Sequence, residues 1–130
     1  MKNYLIIVLA EGAFMKASTN TLDAGSAYKL IRAKKEISDA YREVASQREA
    51  LVAEILTPEE RARINDPKLK DKVARLQECL SSFVMEDTDV KLSPVPFADW
   101  HRFCAENGLK VGGLEIELEG ILWEAPEESD

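Results

Sequence analysis

Between residues 22 and 56, side chains recur at alternating spacings of three and four: Ala27, Leu30, Lys34, Ile37, Tyr41, Val44, Arg48, Leu51 and Ile55. That is the period of a helix offering one stripe to a neighbour. Neither Gly nor Pro interrupts the stretch after Gly25, and Asp23 is placed to cap its start. One continuous helix of this length runs about 50 Å at 1.5 Å per residue. Lys34 and Arg48 stand on the stripe although charged, so their stems lie along the seam with their heads at water, or they mark register or a partner site.

Thr57-Pro58-Glu59-Glu60 restarts the chain as a helix, with Thr57 as N-cap, Pro58 at the first helical position and Glu60 completing a capping box. The short helix reaches about Ile64, and Asn65-Asp66-Pro67 repeats the break. A second stripe follows in Leu69, Val73, Leu76, Leu80 and Phe83. Two matching stripes joined by a compact turn region predict an antiparallel helical hairpin over about 22–85.

Beyond it, Glu86-Asp87-Thr88-Asp89 is an acidic turn, and Val90-Lys91-Leu92 alternates like a short strand before Ser93-Pro94-Val95-Pro96. Phe97 to Asn107 reads as a helix with Phe97, Trp100, Phe103 and Cys104 on its apolar face, stopped by Gly108. Residues 113–123 stay open between two readings. Leu114, Ile116 and Leu118 alternate with glutamates like a strand, while Leu114, Leu118, Ile121 and Leu122 satisfy a helical face. The expected fold is mainly α in a single domain over 1–130: an N-terminal helix about 3–17, the hairpin, a small C-terminal α (or α+β) subregion about 88–124, and an acidic tail 125–130.

Size and composition support this picture. The chain has 130 residues, 45% hydrophobic and 32% charged, enough for one packed core and too apolar for global disorder. The apolar run Tyr4 to Ala10 follows a single Lys and ends at Glu11, too short for a membrane span and without a small-residue cleavage site. It is expected to be a core element of a cytoplasmic protein. Cys79 and Cys104 match no metal-ligand spacing and read as buried thiols. The net charge of −7 is uneven: residues 29–75 hold 12 basic against 9 acidic side chains, residues 76–130 hold 3 against 13. Such a chain lacks the basic surface that nucleic-acid binding requires. Its acidic half suits solvation, or a basic partner.

Candidate chemistry is thin. His101 is the only histidine and lies three residues before Cys104, but Cys104 falls on the apolar face, which argues against a Cys–His dyad. One His and two distant Cys do not make a zinc site, and Glu86, Asp87 and Asp89 lack the glycine and spaced ligands of a calcium loop. Glu115, Glu117 and Glu119 have no pocket to split their pKa values and read as a solvated face. Gly112-Gly113 lacks the Lys-Ser/Thr of a phosphate loop, and Lys29, Arg32, Lys34 and Lys35 are interleaved with Glu36 and Asp39. Trp100 and Trp123 read as core, with a partner anchor as the alternative. No catalytic, cofactor-binding or metal residue is assigned. The candidate interaction residues are Lys34, Tyr41, Arg48, Trp100, Glu115, Glu117, Glu119 and Trp123.

The order Leu9-Ala10-Glu11-Gly12-Ala13-Phe14-Met15-Lys16, then Ala27-Tyr28-Lys29-Leu30-Ile31-Arg32-Ala33-Lys34-Lys35-Glu36-Ile37, then Gln47-Arg48-Glu49-Ala50-Leu51-Val52 resembles small helical proteins of unknown function carried by Bacteroidetes-type phages and prophages. The likeness is one of pattern and spans the first two thirds of the chain. It implies a helix over 3–17 in place of a strand, and leans 113–123 towards helix. It also implies a non-enzymatic protein–protein role in virion or tail assembly, or an accessory role in infection, with a protein partner or self-association and neither nucleic acid nor membrane. The location it implies is the cytoplasm of a bacterial host, or the virion. An acidic inhibitor or regulator of a host protein is the second reading, and a small Cys/His enzyme the third.

Overall fold

The structure, a computed structural model, describes residues 1–88, 92–109 and 118–124. It is mainly helical, and no strand is present among the described residues. Helix α1 (Asn3–Glu11) and the short α2 (Ala13–Lys16) lead into the long α3 (Ala24–Ile55), then α4 (Pro58–Ala62), a 3-10 turn (Pro67–Leu69), α5 (Lys70–Met85) and α6 (Phe97–Asn107).

The punctuation of the chain follows its capping residues. The Asp23 carboxylate accepts from the Ser26 amide at 2.9 Å, starting α3. Thr57 and Glu60 close the capping box, each at 3.1 Å. Asp66 accepts from the Lys68 amide at 3.0 Å and starts the 3-10 turn. Gly108 ends α6 at φ 64, a left-handed turn that costs glycine no Cβ clash.

The expected N-terminal helix over 3–17 is two helices. Gly12 breaks it in an extended conformation, and a Cβ there would lie 2.7 Å from the Val8 carbonyl oxygen, so the close approach requires glycine. The short strand proposed at Val90 to Leu92 lies mostly outside the described residues. So does much of 113–123; its described part, 118–124, is a tight turn, against the leaning to helix. Gly120 sits at φ 79, which an α-helix does not accommodate, and Leu118 accepts from both Ile121 and Leu122 at 2.9 Å in a single turn. That turn is pinned to the chain before α6: Val95 donates to Leu122 and accepts from Glu124, both at 2.8 Å.

α3 and α5 form the hairpin, and α1 packs against both of them. Leu30, Ala33, Ile37, Ala40 and Val44, the buried positions of α3's seam, lie under α1 and α6. Two apolar clusters result. The larger joins Leu5, Leu9 and Phe14 to Trp100, Phe103, Leu118, Leu122 and Trp123; the smaller joins Ile6 to Ala40, Val44 and Phe83. α1 thus works as a wedge, with different side chains in each cluster. Its start is tied to the end of α5: the Asn3 side chain donates to the Phe83 carbonyl at 2.9 Å and the Lys2 ammonium to the Met85 carbonyl at 3.0 Å. Both bind carbonyls of the last turn of α5, the Phe83 one shared with the Glu86 amide, at a helix end where a positive charge is also favoured.

The hairpin has two unlike ends. Past Val44, α3 has no fully buried residue; Leu51 and Ile55 are half-buried, as are Leu69, Val73 and Leu80 opposite, and only Leu56 at the C-cap of α3 and Leu76 in α5 are buried there. Phe103 is fully buried, with the Phe14 ring 5.6 Å away. Phe103→Ala should therefore cost about 3–5 kcal/mol, and Leu80→Ala about 1 kcal/mol. Urea denaturation checks both; equal losses would refute the division into a packed body and a loosely covered arm.

Candidate functional site

The residues singled out from the sequence are mostly engaged inside the chain. The Lys34 ammonium donates to the Ala17 carbonyl and stands 5.6 Å from the centre of the Phe103 ring. It therefore closes the α2–α3 link over the core, and its head is held in the protein where a solvated one was expected. Tyr41 donates to the Glu11 carboxylate at 2.8 Å, and Arg48 reaches the Tyr41 hydroxyl at 3.4 Å and Glu11 at 4.0 Å. This trio fastens the end of α1 to α3.

Trp100 and Trp123 are both in the larger core cluster. Glu119 is exposed next to that cluster, on the 118–124 turn. Glu115 and Glu117 lie outside the described residues. Cys104 is buried among Phe103 and Trp100, whereas His101 is exposed against the Phe97 ring at 5.8 Å, so thiol and imidazole do not share an open cleft. Of the acidic turn, Asp89 is outside the described residues. Among the described residues no three His, Cys, Asp or Glu side chains are grouped to hold a metal ion. Likewise, no described helix is long and apolar enough to cross a membrane.

The feature that the sequence reading missed is a groove along the arm, between α3 and α5. Its larger section, about 690 Å³, has Ala50, Leu51 and Phe83 on its floor and Glu54, Glu78 and Glu86 at its edges. A second section of about 390 Å³ adjoins it through Leu51, Glu54 and Cys79, and carries Lys72 and Arg75. Lys72 is occupied by Glu60 at 2.7 Å. Arg75, Glu54, Glu78 and Glu86 form no ion pair among the described residues. The groove is thus an apolar floor with a carboxylate end and a cationic end. A signal for it existed: Lys72, Arg75, Cys79, Ser82 and Glu86 recur at three and four residues, one turn-width beside the apolar stripe. Those side chains are polar, so they add nothing to the apolar periodicity of α5.

A comparison with protein-family models, curated proteins and solved structures finds no significant match to this chain. The groove is read on its own chemistry.

Burial holds the Lys34 ammonium below the ordinary lysine range. Between that lowered value and 10.5 the unfolded chain binds more protons than the folded one, so stability tied to Lys34 rises with pH across that window. Lys34→Met removes the dependence. Wild type should gain stability relative to the variant as pH rises towards 10.5, measured by urea denaturation; parallel curves would show that Lys34 is not desolvated.

Proposed function

We propose that this chain is a non-enzymatic protein–protein interaction component that works through the groove of its α3–α5 arm. The observation that carries the reading is the unequal cover of the hairpin. Over the body, α1 and α6 close the seam; along the arm Leu51 and Cys79 stay half-buried in the groove beside carboxylates that form no ion pair among the described residues. An apolar floor with charged edges is the surface that receives an amphipathic helix. The pattern resemblance to small phage-borne helical proteins supports a virion, tail-assembly or accessory role for it.

A second reading, an acidic inhibitor or regulator of a host protein, is favoured by one feature: Glu54, Glu78 and Glu86 converge on the larger section with no basic side chain among its lining residues. An enzyme built on Cys104 and His101 draws the least support, since the thiol is buried.

Ala50 is exposed on the groove floor, so Ala50→Arg fills the groove while keeping a good helix former on the surface. A tagged pull-down from the bacterial host under prophage induction should recover a specific partner with wild type and lose it with Ala50→Arg. Virion components among the lost proteins support assembly, and a host enzyme or defence protein supports the regulator. Undiminished capture by Ala50→Arg would sink the groove as the working surface.

A further inference from the structure

We infer that the partner seated on the arm groove is a second copy of the chain, packed with its α5 antiparallel to the first. This rests on the reading of the groove as an interaction surface, and adds the occupant and its register.

The argument begins with charge. Along α5 and its C-cap Glu86 the groove face reads Lys72, Arg75, Cys79, Ser82, Glu86, basic at the N-terminal end and acidic at the C-terminal end. A helix favours the reverse, anions at its first turn and cations at its last. Lys72 in the first turn and Glu86 at the C-cap each stand at the less favourable end of α5. Lys72 has an internal partner in Glu60; among the described residues Arg75 and Glu86 form no ion pair.

An antiparallel neighbour of identical sequence accounts for both. A two-fold interface brings the same patch of each subunit together, so it must be complementary to itself under reversal. The 3-4 spacing of residues 72, 75, 79, 82 and 86 is that of a helix–helix seam. With the two-fold axis between Cys79 and Ser82, Arg75 of each chain lies opposite Glu86 of the other, and Cys79 lies opposite Ser82. Two ion pairs then form for each dimer, and the opposed helix dipoles of the two α5 segments run antiparallel. Leu51 and Cys79, half-buried in the single chain, gain cover from the facing helix. The small side chains at positions 79 and 82 leave room for close approach at the centre. A seam with charges at its ends and a thiol and a hydroxyl at its centre gives a reversible dimer, not an obligate one.

The test is sedimentation equilibrium of the full chain from about 1 µM to about 500 µM. Wild type should show a concentration-dependent dimer. Arg75→Glu and Glu86→Arg should each weaken it about tenfold or more, and the double variant Arg75→Glu/Glu86→Arg should return it to within about threefold of wild type. Circular dichroism of each variant confirms that these surface changes leave the fold intact. A wild-type monomer throughout, or a dimer indifferent to the swap, overturns the inference. The two readings fail separately: a monomer whose captured partner is still lost with Ala50→Arg keeps the groove and refutes self-association. A monomer whose capture ignores Ala50→Arg refutes both.

Discussion

A pair of helices cannot bury a stripe on each of them without a third surface to close the seam. In this chain α1 supplies that surface, and the rest of the fold is arranged to hold it there. Leu5 and Leu9 enter one cluster and Ile6 the other, so a single nine-residue helix serves both sides of the hairpin. Each fully buried aliphatic side chain contributes about 1.5–3 kcal/mol, which exceeds what its surface ion pairs supply singly. The polar contacts around α1 locate it instead: Lys2 and Asn3 at the end of α5, and Glu11 at Tyr41 and Arg48. With both ends fixed, the wedge keeps one register against α3.

The start of α3 is held in the same manner by α6. Arg102 donates to Asp23 at 2.9 Å, Lys29 donates to Asp99 at 3.2 Å, and the Ser26 hydroxyl donates to the same Asp99 carboxylate. Asp23 is held below the usual carboxylate range, first by the Ser26 amide it caps and then by Arg102. A cap that is also an ion pair couples local helix formation to tertiary docking, so α3 begins where α6 meets it. Phe14, Trp100 and Phe103 then pack at centroid distances of 5.6–6.1 Å beneath that junction.

Most of this architecture was legible in residue spacing. The two stripes, the Asp23 cap, the Thr57–Glu60 box and the Gly108 stop are local signals, and each is where its chemistry requires it. The misread parts depend on backbone geometry or on contacts distant in sequence. Gly12 reads as a tolerable glycine within a helix until the Val8 carbonyl is found 2.7 Å from where its Cβ would stand. The 118–124 turn has a helical apolar pattern because Leu118 and Leu122 do face one core; Gly120 is what turns the chain. Lys34 illustrates a third kind of limit, since spacing places it on the seam but does not reveal the Ala17 carbonyl that receives it. For the groove, only its α5 face was encoded as a periodic pattern, and in polar residues.

The uneven hairpin has a consequence for where an added surface would bury most. Core density fixes the body, while the arm beyond Val44 buries only Leu56 and Leu76 fully and otherwise relies on half-buried contacts and on exposed pairs such as Arg61 with Glu49 at 2.5 Å and Lys72 with Glu60. Segments with few buried contacts open more readily than the global fold and are where binding elements are drawn from. An arm of this kind gains most from an added surface, because its Leu51, Val73 and Leu80 still have water to lose. The body has little left to gain, its seam being closed already by α1 and α6. The same constraint that makes α1 indispensable to the body thus leaves the arm as the part of the molecule with free energy available for a partner.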